Sequence, residues 1–243
     1  MRSLTFGKRC AKEILRDPLN LIFGFGFPLV LLLLLSLIQA NVPVELFEIK
    51  KLAPGITVFG LSFMTLFSAT LVARDRESAF LQRLYTTPLK PADYILGYML
   101  PMVPLALVQG AVCYAAAVAL GLPVTGEILL AILILMPISV LYLALGLLCG
   151  SVFNVKQVGG ICGALLTNLS AWLSGVWFDL ELVGGVFEKI AKLLPFLHAV
   201  EAERAAINSD FAEIIPHLLP VLGYSAVVTL GAILLFLRQM KKQ

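Results

Sequence analysis

Four cysteines, two histidines and one Ser-Gly pair are the residues of this chain that could support covalent or metal chemistry, and their spacing argues against it. Cys10, Cys113, Cys149 and Cys162 form no C-x-x-C. Three lie in apolar runs and none in a polar interval expected outside the membrane, so no disulfide framework is expected. His198 and His217 lack a cysteine or carboxylate at ligand spacing, and no metal site is assigned. Ser174-Gly175 with His217 invites comparison with intramembrane serine proteases, which need a serine activated by a histidine from another helix. Those enzymes carry G-x-S-G, whereas the residue two before Ser174 is Trp172. His217 also falls near the start of its apolar run. Ser174 therefore reads as a helix-end cap and His217 as interfacial, and no catalytic residue is assigned. The chain has no G-x-x-x-x-G-K-[ST] phosphate loop, so any ATP hydrolysis must come from another chain. No ionisable residue falls in the middle of an apolar run, which argues against a proton relay.

The elements that would position any site are apolar helices. The 243 residues are 60% hydrophobic and 14% charged, with mean hydropathy +0.96. Soluble domains are nearer half apolar and a quarter charged. This balance leaves too little polar surface for a water-facing fold, so the chain reads as an all-α membrane protein forming a single domain over 1–243. Six membrane spans are expected at about 20–39, 53–73, 92–120, 127–153, 158–178 and 211–237, each near the length needed to cross hydrocarbon. Residues 1–19 read as an interfacial helix, with Lys8, Lys12 and Arg16 on one face and Leu4, Ala11, Ile14 and Leu15 on the other. A signal peptide does not fit, because Glu13 and Asp17 interrupt the basic segment and the following apolar run is too long. Short external helices are expected before the last span, over 186–194 and 198–206. Two small-residue motifs, Gly146-x-x-x-Gly150 and Gly159-x-x-x-Gly163, are candidates for close helix approach.

Lysine and arginine placement sets the expected orientation. With both termini cytosolic, thirteen of the eighteen lysines and arginines fall on the inner side, in line with the positive-inside bias. The charged stretch Arg74–Lys90 then lies in the cytosol between spans 2 and 3. Within it Phe80, Leu81, Leu84 and Tyr85 share one helical face flanked by Arg76 and Arg83, and Pro88 stops the helix. An apolar ridge with flanking charge suits insertion into a groove on a partner protein.

This stretch resembles a known family. Arg76-Glu77, Leu81, Leu84-x-x-Thr87-Pro88-Leu89 and Tyr94-x-x-Gly97 are similar to the segment between spans 2 and 3 of the membrane permease subunits of bacterial type-2 ABC exporters, which move drugs, antibiotics and polysaccharides. Leu173–Phe178 resembles that family's end of span 5. Pro195-x-x-His198-Ala199-Val200-Glu201-x-x-Arg204 resembles its external segment before span 6. The likeness covers essentially the whole chain. It departs from the family at Ala79-Phe80, where Gly-Thr is usual, and at Gln82, where Glu is usual.

The resemblance implies a multi-pass subunit of the cytoplasmic (inner) membrane, paired with a second permease copy or a homologue and served by two ABC ATPase subunits. ATP and magnesium would sit on those ATPases, with no cofactor on this chain, and nucleic acid would have no part. Arg76, Glu77, Phe80, Leu81, Arg83, Leu84, Tyr85 and Pro88 would form the coupling helix that meets the ATPase. A substrate path at the interface of spans 2 and 5 would place Phe59, Phe63, Phe67, Asn168 and Trp172 along it. A path rich in phenylalanine and poor in charge suits an amphipathic drug or lipid-linked substrate, moved by alternating access in multidrug-resistance fashion. The competing readings are the intramembrane protease and a non-transporting scaffold or channel.

Overall fold

The computed structural model describes residues 2–42, 44–78 and 91–240. Every regular element among them is helical: α1 (Arg2–Leu15), α2 (Pro18–Leu21), α3 (Phe27–Asn41), α4 (Ile49–Glu77), α5 (Pro91–Ala119), α6 (Glu127–Val152), α7 (Val155–Gly160), α8 (Thr167–Trp172), α9 (Leu180–Val183), α10 (Gly185–Leu193), α11 (Pro195–Ile207) and α12 (Phe211–Met240). Two π-helical segments, Ile22–Gly26 and Ile161–Leu166, join α2 to α3 and α7 to α8. A single 3₁₀ turn covers Glu45–Phe47.

Among the described residues, five helices are long and apolar enough to cross a membrane: Ile22–Asn41, Ile49–Glu77, Asp93–Ala119, Glu127–Val152 and Phe211–Leu235. The stretch expected as the fifth of six spans differs. It runs as one continuous helix through α7, the π segment and α8, then turns at Leu173–Phe178. Eighteen helical residues reach about 27 Å, just under the hydrocarbon thickness. The turn is built on Gly175, whose φ of +69° suits a residue without a Cβ.

Helix α4 is the axis of the bundle. Of its most apolar window 89% is buried, against 22% for Ile22–Asn41 and 17% for Phe211–Leu235. Lipid gives two apolar helices no hydrophobic reason to associate, so the bundle depends on close packing and interhelical hydrogen bonds. Both are present. A Cβ on Gly146 would stand 2.5 Å from the Thr65 carbonyl oxygen, and one on Gly150 2.5 Å from that of Ala69. The Gly146-x-x-x-Gly150 motif is thus the groove in α6 that receives the backbone of α4. The second motif does not act this way, since Gly159 faces open space and Gly163 meets only the Leu66 side chain. Thr65 Oγ1 donates to the Tyr142 carbonyl at 2.8 Å, and the Tyr142 hydroxyl meets Ser170 Oγ at 3.0 Å, linking α4, α6 and α8.

Helix α1 is amphipathic, as its sequence pattern suggests, but its apolar face lies on protein. Phe6, Cys10 and Ile14 are buried while Lys8, Lys12 and Arg16 are exposed. The Phe6 ring sits on Gly97 of α5, edge-on to Tyr98 with centroids 4.9 Å apart. Of the face expected to be apolar, Ile14 is buried but Leu15 is 64% exposed, and the buried stripe runs instead through Phe6, Cys10 and Ile14.

Candidate substrate groove and its anchoring residues

Two charged clusters bracket the bundle, one at the end that holds residues 74–78 and one at the end that holds residues 204–209. An aromatic groove lies between them.

At the first end, four consecutive residues of α4 reach four different neighbours. Arg74 Nη1 donates to Asp17 Oδ2 at 3.3 Å. Asp75, 2% exposed, accepts both terminal nitrogens of Arg9, one at 2.7 Å, and the Tyr98 hydroxyl at 2.7 Å. Arg76 donates to the carbonyls of Ser151 and Phe153, the latter at 2.6 Å, where α6 ends. Glu77 Oε1 accepts from the Val155 backbone N–H at 2.9 Å, where α7 begins. The last two contacts match helix-end chemistry. Orphan carbonyls and a partial negative charge at a C-terminus favour a cation, and orphan N–H groups at an N-terminus favour a carboxylate. Asn154 and Gln157 add a reciprocal capping box to the start of α7. Arg76 and Glu77 are therefore engaged inside the chain. Phe80, Leu81, Arg83, Leu84, Tyr85 and Pro88 lie outside the described residues.

The groove, about 370 Å³, opens between α3, α4 and α8. Phe59, Phe63, Asn168 and Trp172 all line it, together with Phe23 and Phe27. The rings interlock edge to face: Phe59 against Phe63 at 5.9 Å and 88°, Phe27 against Phe63 at 5.4 Å, and Phe59 against Trp177 at 5.7 Å. Such pairs prefer tilted or perpendicular geometry because each ring is negative on its face and positive at its edge. Asn168 Nδ2 donates to the Ala164 carbonyl of its own helix at 2.7 Å, so this amide sits on the groove wall and does not bridge helices. Phe67 stands apart: it is buried over Gly24 and borders a separate cleft near Asp17 and Arg74.

Both π segments contribute to the groove, through Phe23 on one wall and Gly163 on the other. π-Helical turns within helices frequently accompany functional sites. Phe23, Phe27 and both π segments are absent from the sequence reading. The four-residue spacing of Phe23 and Phe27 repeats that of Phe59 and Phe63, and the glycines at 24, 26, 159, 160 and 163 mark both irregular stretches.

At the other end, α11 turns inward. Arg204 binds Glu201 at 2.8 Å and donates to the carbonyls of Gly175 at 3.0 Å and Lys51 at 3.3 Å, tying α11 to the turn after α8 and to the start of α4. Glu203 is fully buried and takes a 2.6 Å hydrogen bond from the Tyr114 hydroxyl. Burial pushes its carboxyl up to about 8, against the opposing effect of that bond. Ser174 donates to the Ala171 carbonyl at 3.0 Å, as expected of a helix-end cap, and His217 is engaged by His198. These contacts use both residues of the protease reading in other ways.

The histidine contact fixes its own protons. His198 Nε2 faces the Lys192 carbonyl at 2.9 Å, an acceptor only, so that nitrogen carries hydrogen. Neutral His198 then offers a lone pair at Nδ1, and His217 Nδ1–H donates to it across 3.0 Å. A proton added to His198 would set N–H against N–H. Burial holds His198 below the ordinary imidazole range, and His217 adds to this, against the Lys192 carbonyl and Glu201; Glu213 lies beyond His217 at 3.7 Å. With its native value depressed, His198 contributes stability that is complete above about pH 6.5 and is lost as pH falls through the native value. Thermal unfolding in detergent between pH 7.5 and 5 is expected to show a smaller acid-side loss in His198→Gln than in the wild type. Equal losses in the two proteins would remove this role.

Taken together, fold and site define a multi-pass, all-helical membrane protein with an aromatic groove and, among the described residues, no metal cluster. The family model for the ABC-2 type transporter matches residues 3–208, and the chain belongs to that family. It is also similar to a protein of Pyropia yezoensis named "Putative transport permease ycf38", with 27% identity over 219 residues, covering 84% of this chain and 74% of that one. The chain is accordingly a membrane transporter subunit.

Proposed function

We propose that this subunit forms the membrane path of an ATP-driven exporter for an amphipathic drug-like or lipid-linked molecule, with the groove as part of that path. One observation supports this reading above others. Phe59, Phe63, Asn168 and Trp172, on two segments about 110 residues apart in sequence, converge on one cavity. The aromatic faces suit an apolar body, and Asn168 Oδ1, not used in its intrahelical bond, suits a polar end.

In this scheme Val155–Trp172 completes a sixth crossing, both termini face the cytosol, and the protein works in the cytoplasmic membrane. A second copy or a homologue covers the open side of the groove, where Trp172 is 53% exposed. Two ATPase subunits carrying ATP and magnesium dock on the apolar face of Phe80, Leu81, Leu84 and Tyr85, which Arg76 and Arg83 flank and Pro88 ends. Their movement enters the bundle at Arg76 and Glu77. These residues hold the end of α6 and the start of α7, so motion of the loop is passed towards the α8 wall. ATP then biases which of two groove states is populated, and those states must differ in substrate affinity.

The test is assembly and transport in membrane vesicles. Leu84→Arg is expected to abolish co-purification of the ATPase while the permease is still inserted, because a charge replaces the middle of the docking ridge. Phe63→Ala is expected to leave assembly intact and change substrate transport. Retained assembly and transport in Leu84→Arg would overturn the docking claim, and unchanged transport in a well-expressed Phe63→Ala would overturn the path.

A further inference from the structure

One pair of reactive groups has no part in the groove's chemistry and lies against its wall. Cys149 sits in the last turn of α6, and Cys162 in the π segment that follows α7. Both thiols are free, and the Cys149 side chain packs against the cluster that buries Cys162. They pack in a small apolar cluster with Ala69, Ala73 and Val158, where the alanines of α4 leave room for sulfur. Cys162 is buried and Cys149 partly exposed, so a reagent meets Cys149 first. Cys10 lies beside Arg9, and Cys113 accepts a hydrogen bond from Gln109 at 3.3 Å, both away from this pair. The carbonyl of Cys162 accepts the Thr167 hydroxyl at 2.8 Å, and both Gly163 and Thr167 line the groove.

We propose that Cys149 and Cys162 are a reversible oxidation site, closed by a peroxide into a disulfide that fixes the α8 wall of the groove to α6. The Cys149 thiolate attacks the peroxide O–O bond, giving a sulfenic acid and releasing water from hydrogen peroxide. The Cys162 sulfur then attacks the sulfenic sulfur. The S–S bond forms, the S–OH bond breaks, and hydroxide leaves as a second water with the proton from Cys162. Two thiols and one peroxide become one disulfide and two waters, and a dithiol reverses the bond by exchange. The link closes a loop that contains the Asn154 cap and the Val155 N–H held by Glu77. Locking it stops the π segment and α8 from moving against α6.

The consequence for transport rests on the groove being the path, whereas the bond itself does not, and two measurements separate them. In the first, the full-length protein in membrane vesicles is treated with hydrogen peroxide, alkylated, digested and examined by mass spectrometry. The expected product is a linked Cys149–Cys162 peptide two hydrogens lighter than the dithiol, restored by dithiothreitol, with Cys10 and Cys113 still alkylated. Cys149→Ser and Cys162→Ser are each expected to abolish it. A sulfenic or sulfinic acid on Cys149 with Cys162 still alkylated, or both cysteines alkylated, overturns the proposal. In the second, peroxide is expected to suppress wild-type transport and to spare the Cys149→Ser/Cys162→Ser protein. A disulfide that forms while wild-type transport continues overturns the lock, leaving the chemistry of the pair established.

Discussion

Arg9→Ala is expected to lower stability by roughly 3 kcal/mol, the lower end of the range for breaking a buried ion pair. The lower end applies because the Arg9 side chain remains 34% exposed, whereas Asp75 is at 2%. Removing the guanidinium leaves the Asp75 carboxylate with, among the described residues, only the neutral Tyr98 hydroxyl as donor to a buried charge. The loss also has a direction. Asp75 is the last buried residue of α4, Arg9 belongs to α1, and Tyr98 to α5. The triad thus binds the elements on both sides of the 79–90 segment to one another. Arg9→Met with Asp75→Asn removes both charges, and the amide oxygen introduced by the second change can still accept from Tyr98, so the double variant is expected to recover most of the loss. Unfolding of the wild type, the two single variants and the double variant in one detergent gives the coupling energy directly. Additive losses in the double variant would mean that the pair does not act as a unit. Tyr98→Phe is expected to cost about 1.5 kcal/mol, the lower end of the range for a hydrogen bond to a charged group, since Asp75 keeps its stronger partner.

The sequence shows the helices more clearly than their neighbours. The expected spans at 53–73, 127–153 and 211–237 overlap α4, α6 and α12 closely, because twenty apolar residues without charge have few other uses in a chain of this composition. The four residues Arg74–Glu77 illustrate the limit. As a run of alternating charge they suggest a solvated loop edge, yet they form the last helical turn of α4, and their partners all come from distant parts of the chain. No local pattern encodes such partners. Glu203 is a second case. It sits in the densest acidic interval of the chain and turns inward to Tyr114, since one helical face of α11 is enclosed by the bundle. The groove was partly legible, because the i, i+4 spacing that puts Phe59 and Phe63 on one face is a property of α4 alone. Phe67 continues the stripe but falls beside Gly24, because the π turn of the neighbouring helix shifts its register there. Lipid and protein offer the same apolar surroundings, so hydropathy does not tell the two sides of a membrane helix apart.

The two glycine motifs give the sharpest contrast between pattern and packing. Gly150→Leu is expected to prevent assembly of the folded bundle, and Gly146→Ala to destabilise it by about 1–3 kcal/mol, the range for overpacking a close contact. In both cases the new Cβ would stand 2.5 Å from a carbonyl oxygen of α4, and at Gly150 it would also lie 2.8 Å from the Val72 Cβ. Backbone atoms cannot rotate aside as a side chain can, so the helices themselves must separate. Separation would weaken the bond from Thr65 Oγ1 to the Tyr142 carbonyl in the same interface. It would also disturb the hold of Arg76 on the end of α6. Gly159→Ala is the internal control, because no atom lies within 4 Å of the position its Cβ would take. That change is expected to leave stability unaltered or to raise it by up to about 1 kcal/mol, from the smaller entropy loss of alanine in a helix. Thermal unfolding followed by size-exclusion chromatography in detergent distinguishes the three variants. A Gly150→Leu protein that elutes and melts like the wild type would show that α4 and α6 do not approach as closely as described. A Gly159→Ala protein that loses stability would show that a partner covers this face of α7. The same small-x-x-x-small pattern occurs twice between Gly146 and Gly163, and only the copy facing the buried axis of the bundle is used for close approach.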